Sequence, residues 1–510
     1  MLETALGWLW WPAALLLRPL PLAVLAAAVA FAYWWMTRHF DFWTSRGVPG
    51  PAPKLPYGHG LPDPRDFHAI ERVLYEYADG RYCGFFELHR PVLYVADPDL
   101  IRAIAIKDFE HFTDRRDLAL SKSMEEMLVS LSGRRWKTLR EAMSPAFSAS
   151  KLRAMHQLCL QTANNLSRYA RETMAKEGRV QLKDAFGRFT MDNIAACGFG
   201  VDCNSFRDPD SEFTRHAAQF FKPLSAYDFF RLLVLSVFPR WLGNLLPDRA
   251  EPAAAFFHRV VARTIAHRAA HGSGGRRDYL QLLLETRGAD GQRAIADSLV
   301  ATQAVMFLVG GYDTTASLLT SAGYALATAP GVQRRAQREI DQVLTRHGGQ
   351  LTFDALSEMH YMDRVLSEAL RLYPPFMRID RQCVREYTLP GTELTIPAGT
   401  VVTVPVLSLQ RDPQYYPDPL KFDPDRFLPE QKEQRHPCVY LPFGSGPRGC
   451  LAQRFALFEA KLALVAVLRD GCLEAAEGTP PPPLPLDPGA VVATAREPVY
   501  VRLLPRQSSD

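Results

Sequence analysis

The chain of 510 residues reads as a mainly α-helical domain with small β-sheets, an α+β fold, behind a single N-terminal transmembrane helix. Residues 297–329 contain no proline and are apolar nearly all round, which suits a helix through the middle of a domain rather than one on its surface. Short alternating runs at 82–88, 91–95, 387–389, 393–396 and 401–406 are punctuated by Pro and Gly, the pattern of small sheets. Residues 19–36 carry no charge and are bracketed by Trp8, Trp10, Trp11, Tyr33, Trp34 and Trp35, as a bilayer-spanning segment is by interfacial aromatics.

A hydrophobic fraction of 47% supports one large core, so one domain plus an anchor suits the uninterrupted patterning better than several average domains. The expected units are an anchor over 1–36, a proline-rich hinge over 37–58 and a folded domain over 59–510. A net charge of +4 is too small to argue for nucleic-acid binding. Eight cysteines at irregular spacing form no disulfide framework and suit a reducing compartment.

Glu3 is the first charge, so no basic region precedes the apolar run, and a retained anchor is preferred to a cleaved signal peptide. Arg38, Arg46 and Lys54 follow it and place the domain on the cytosolic side. Pro49, Pro51, Pro53 and Pro56 then stiffen the hinge. The runs at 82–88 and 91–95 form a hairpin, and Asp97-Pro98 opens a helix through Lys107. Trp136 and Arg140, four apart, share one helix face, with Arg134, Arg135 and Lys137 on the other side.

Within the central helix stands Gly310-Gly311-Tyr312-Asp313-Thr314-Thr315. Each glycine costs about 1 kcal/mol in a helix interior, which asks for a reason. Thr314 can return its hydroxyl to the Gly310 carbonyl and loosen the ladder, and Asp313 beside it can relay protons. Close packing against a neighbouring helix is the plain alternative. Glu368 and Arg371 are i,i+3 partners on a helix expected over 353–372, which Pro374-Pro375 ends.

Near the C-terminus, Phe443-Gly444-Ser445-Gly446-Pro447-Arg448-Gly449-Cys450 delivers one cysteine to the start of an apolar helix over 451–468. Inward amides and a helix N-terminus favour thiolate. No Cys or His stands beside it at zinc-site spacing, so a lone axial ligand to iron suits the residue better than a zinc cage. Arg448 could pair with a carboxylate on whatever the cysteine holds. A buried structural cysteine is the plain alternative.

The full pattern Phe-x-x-Gly-x-Arg-x-Cys resembles that of the cytochrome P450 family of haem-thiolate monooxygenases, in its microsomal clan of insect detoxification and vertebrate drug- and steroid-oxidising members. The resemblance implies haem b with Cys450 as its proximal thiolate, Phe443 beside the sulfur, and Arg448, Trp136, Arg140, Arg115 and Arg381 toward the propionates. It implies that Thr314 and Asp313 handle oxygen and protons, and that Glu368 and Arg371 form a buried lock with Arg426 of Pro424-Asp425-Arg426-Phe427. Phe376, Met377, Ile379 and Val492 would line the substrate pocket. Ala452 stands where the family usually has glycine.

The implied reaction inserts one atom of O2 into a lipophilic substrate such as a xenobiotic, steroid or fatty acid. No Gly-x-Gly-x-x-Gly follows a strand, so electrons come from outside; the resemblance implies NADPH through a cytochrome reductase, for which Arg134, Arg135 and Lys137 offer a basic docking face, a plain solvated surface being the alternative for these cations. Cytochrome b5 is a second implied partner, and the endoplasmic reticulum (microsomal) membrane the implied location, crossed once with the domain in the cytosol. A haem-thiolate isomerase acting on a peroxide and a non-catalytic haem sensor are the competing functions.

Overall fold

Hydrophobic residues on every face of the central helix leave it no side to turn to water, and the chain builds its core around it. The computed structural model describes residues 19–55, 58–59, 67–116, 124–221, 225–237, 245–287 and 295–506. Pro19–Thr37 (α1) precedes the domain, and Gly133–Met143 (α2), Ala149–Glu177 (α3), Leu182–Ile194 (α4), Asp297–Thr328 (α5), His360–Leu372 (α6) and Gln453–Asp470 (α7) frame its interior. Residues 300–308, Met306 excepted, and 315–326 of α5 are buried. Gly323 lets α4 lie close, since a Cβ there would stand 3.2 Å from both Leu182 and Phe186. Phe307 on α5 meets Phe455 on α7 with ring centroids 5.3 Å apart.

The strands, in chain order, are Tyr82–Glu87 (β1), Arg90–Val95 (β2), Val180–Gln181 (β3), Arg378–Gln382 (β4), Tyr387–Thr388 (β5), Thr395–Ile396 (β6), Val401–Pro405 (β7), Gly471–Ala475 (β8) and Tyr500–Pro505 (β9). They form sheets ordered β1-β2-β7-β4, β3-β9-β8 and β5-β6. The expected hairpin forms, with Tyr82 opposite Val95. Its second strand continues into β7, parallel, with Val92 opposite Val401, and β4 closes the sheet antiparallel, with Ile379 opposite Val404.

Several expectations are corrected. The helix expected over 353–372 is two, Phe353–Glu358 and α6, broken at Met359 (φ −85°, ψ 77°). The Glu339 carboxylate accepts the Tyr361 and Met362 amides at 2.7 and 3.0 Å and so caps α6 from another helix. After Asp97, whose carboxylate accepts the Asp99 amide, Pro98–Arg102 widens into a π turn over Ala103–Lys107. The helix after the cysteine starts at Gln453.

The transmembrane helix is also corrected. Among the described residues no helix is long and apolar enough to cross a membrane. Prolines hold the first and third of the 19 described residues of α1. Its last turn faces the domain: Trp35 packs 5.7 Å from the ring of His89 and lies beneath Arg38, 3.5 Å from its ring centroid. The single-pass placement in the endoplasmic reticulum membrane falls with it, and no described helix supports the membrane as a partner. Glu3, Trp8, Trp10, Trp11 and Pro56 lie outside the described residues.

Candidate active site: one thiol, a glycine turn in the central helix and a group of guanidiniums

The cysteine loop is a set of tight turns held by its own backbone. The Gly444 amide donates to Leu441 and the Cys450 amide to Phe443, at 2.9 and 2.8 Å, and Gly444 and Gly446 have φ of +72° and +68°, which L side chains avoid. Gly446 is further required because a Cβ there would lie 1.8 Å from the Ala105 carbonyl oxygen. Cys450 is the one exposed cysteine of eight, although the protein surrounds its sulfur on most sides. Burial pushes its thiol pKa up; the Ala452 amide and the guanidiniums of Arg115 and Arg140 pull the other way. The loop amide and nearby cations therefore favour thiolate less than burial opposes it.

Four arginines from four segments converge on this loop. Arg115 donates to the Arg448 carbonyl at 3.0 Å, Arg140 on α2 to Gly449 at 2.9 Å and Arg381 on β4 to Ser445 at 3.0 Å. Arg448 reaches out to the Thr113 and Leu131 carbonyls at 2.7 and 2.8 Å, its guanidinium 4.0 Å over the ring of buried Trp136. Burial, followed by repulsion from Arg115, brings Arg381 and Arg448 each down to about 9. Asp114 and Asp380 are the carboxylates that oppose this. Nε of Arg115, Nε of Arg381 and Nη1 of Arg448 are buried with no partner in the protein. A cluster of cations with unused donors suits an anionic ligand bearing carboxylates.

On α5 the adjacent glycines Gly310 and Gly311 have different reasons. A Cβ on Gly311 would stand 2.6 Å from Ile194 of α4, so close packing requires that glycine. Gly310 is exposed in the middle of a buried helix, and a Cβ there would meet only Met306, at 3.8 Å. The Thr314 hydroxyl donates to the Gly310 carbonyl at 2.6 Å. Asp313 is ion-paired to Lys183 on α4 at 2.5 Å, and the same ammonium holds Ser317 at 2.9 Å. Sequence reasoning missed Lys183, for nothing local marks a partner 130 positions away.

Glu368 and Arg371 on α6 are both wholly buried. Arg371 binds the carboxylate through two bonds, of 2.7 and 2.8 Å, while the Asp423 amide donates at 2.9 Å and Arg426 Nε stands 3.5 Å away. Burial pushes the Glu368 carboxyl up, and these partners oppose it. Arg371 also donates to the Gln410 carbonyl at 2.8 Å. The Gln410 side chain, which sequence reasoning also missed, donates to the Leu370 and Arg371 carbonyls and accepts the Leu441 amide at 2.8 Å, tying α6 to the start of the cysteine loop.

Of the expected pocket residues, Phe376 is 45% exposed and Met377, Ile379 and Val492 are half-buried. The Ala493 amide donates to Pro375 at 2.8 Å, which brings the segments of Val492 and Phe376 together, whereas Ile379 packs on the sheet's own apolar cluster. A cleft of about 690 Å³ lined by Arg168, Tyr169, Asp192 and Arg207 contains none of these residues.

A lone thiol suits iron and unused guanidiniums suit carboxylates, so fold and site together mark the haem-thiolate class of enzyme. The family model described as Cytochrome P450 matches residues 49–502. The chain is 36% identical over 498 residues to Cytochrome P450 9e2 of Blattella germanica, covering 89% of this chain and 92% of that protein. It is 34% identical over 479 residues to Cytochrome P450 3A18 of Rattus norvegicus (89% and 92%) and to Probable cytochrome P450 6a13 of Drosophila melanogaster (91% and 94%). The chain belongs to the cytochrome P450 family and is related to its insect and vertebrate members. Membership implies a haem-thiolate oxidoreductase using haem b, dioxygen, NADPH-derived electrons from a reductase and a lipophilic substrate.

Proposed function

We propose that this protein is a monooxygenase that inserts one oxygen atom of O2 into an apolar small molecule, with residues 59–510 as its catalytic domain and Cys450 as the thiolate on haem iron. The observation that carries this reading is the set of unused guanidinium donors on Arg115, Arg381 and Arg448 around the loop that presents Cys450. When bound, haem would supply oxygen activation, and Cys450 as its thiolate ligand would assist by donating electron density. Arg115, Arg140, Arg381 and Arg448 fix its carboxylates, Trp136 supports Arg448 from below, and Phe443 packs beside the sulfur.

Thr314 keeps its proton on Oγ1, directed at the Gly310 carbonyl, at the part-exposed turn midway along a largely buried helix. Asp313, held by Lys183, passes protons from the domain exterior toward that turn. Phe376, Met377, Ile379 and Val492 exclude water and receive the apolar substrate. Glu368, Arg371 and Arg426 act through folding, by holding α6 against the cysteine loop. Arg134, Arg135 and Lys137, exposed on α2, dock the reductase, and cytochrome b5 can share that face.

The test compares NADPH consumed, hydrogen peroxide formed and product formed by wild type and Thr314→Ala with a reductase and a turned-over apolar substrate. The variant should keep haem and NADPH consumption while the peroxide share rises at the expense of product. Unchanged partition would refute the role of Thr314, and turnover of a peroxide without electrons would make the enzyme an isomerase.

A further inference from the structure

Glu459 on α7 is wholly buried, yet its Oε1 has no hydrogen-bond partner and its Oε2 has only the Asn193 side-chain amide of α4, at 3.3 Å. Two more buried polar atoms of this node are unpaired, Oδ1 of Asn193 and Oγ1 of Thr315 on α5. Asn193 and Thr315 are 0% and 2% exposed, so water has no ready access to either. The groups acting on the carboxyl are these two, and no cation is among them. From α3, Cys159 feels the carboxyl and is itself 3.8 Å from Cys197. His156 on α3 packs instead on Phe458, ring centroids 6.0 Å apart, and burial keeps its pKa below the usual value.

An ionised Glu459 would be a buried charge faced only by an amide and a hydroxyl, with no cation beside it, an arrangement folded proteins avoid. A neutral carboxylic acid has an O–H to donate to Asn193 Oδ1 or Thr315 Oγ1, and the three helices then satisfy one another. We propose that Glu459 is a positioning residue for the oxygen-handling turn: held neutral, it fixes the hydroxyl of Thr315, the neighbour of Thr314, and its ionisation releases that turn. The inference rests on the proposed role of Thr314 and extends it to a residue on a different helix. Burial lifts the Glu459 carboxyl to about 8, with Thr315 and Asn193 pulling down. Coupling of NADPH to product therefore holds below that pH and falls as pH rises through it.

The test uses the full-length, haem-loaded protein. The infrared difference spectrum between wild type and Glu459→Gln at neutral pH isolates the carbonyl stretch of a buried carboxylic acid, which wild type should show and lose as pH is raised. Peroxide and product are then measured over the same pH range. In wild type the peroxide share should rise where the band disappears; Glu459→Gln, neutral at every pH and still a donor, should keep the coupling seen at low pH throughout. Absence of the band at neutral pH, or the same alkaline loss of coupling in Glu459→Gln, overturns the proposal. Should that variant not accumulate, Asn193→Leu removes one of the two groups that favour ionisation and should carry the band to higher pH; an unmoved band overturns the proposal equally. The band reads Glu459 without turnover, so a wild type that shows it but consumes no NADPH defeats the monooxygenase reading and not the protonation of Glu459.

Discussion

Arg371→Ala should cost about 3 to 5 kcal/mol of stability, because it strands the buried Glu368 carboxylate. The two charge-assisted bonds of 2.7 and 2.8 Å disappear, leaving the Asp423 amide at 2.9 Å and Arg426 at 3.5 Å. Against a typical total of about 5 to 15 kcal/mol, such a loss moves much of the protein out of the folded, haem-binding state. Glu368→Leu combined with Arg371→Met removes both charges together and should recover part of the loss. A remainder of about 1 to 3 kcal/mol should persist, since the Gln410 and Lys421 carbonyls each lose the donor that Arg371 gave them. Haem content per polypeptide and urea unfolding, measured on wild type and both variants, provide the assay. Arg371→Ala with normal haem content and an unchanged unfolding midpoint would refute the reasoning, as would a double variant less stable than the single one.

Gly310 and Gly311 of α5 should respond oppositely. Gly311→Ala drives a methyl against Ile194 and should cost roughly 1 to 3 kcal/mol in thermal or urea unfolding, whereas Gly310→Ala has room and should gain up to about 1 kcal/mol from helix propensity; the reverse order would contradict the packing described. Lys183→Met breaks a partly exposed ion pair, so stability should change by less than about 1 kcal/mol. The same change should raise the peroxide share by loosening Asp313, and an unaltered share would show that Lys183 does not hold a working carboxylate.

What could be read from the sequence was local. The turn chemistry around Gly444 and Gly446, the uninterrupted apolar surface of α5, the hairpin of β1 and β2 and the return of Thr314 to Gly310 all depend on residues a few positions apart. The remainder depends on partners far along the chain. β7 joins β2, and β4 joins β7, to make one sheet from segments some three hundred residues apart, and the half-charged run Arg-Ile-Asp-Arg-Gln gives β4 no alternating apolar face to announce it. Glu339 breaks an otherwise continuous helical pattern by capping α6 from outside it. The apolar run of α1 suggested a membrane span, but periodicity alone could not show that Trp35 turns to His89. Gln410 reads as an ordinary polar residue until folding places it between α6 and the cysteine loop.

The central claim is that Cys450 ligates haem iron from a loop ringed by guanidiniums. The absorption spectrum of the reduced carbonyl complex tests it most directly, on wild type and on Cys450→Ser. Wild type should show the red-shifted Soret band of thiolate ligation and the variant should lose it; a wild type that binds no haem, or a variant that keeps the band, would contradict the claim.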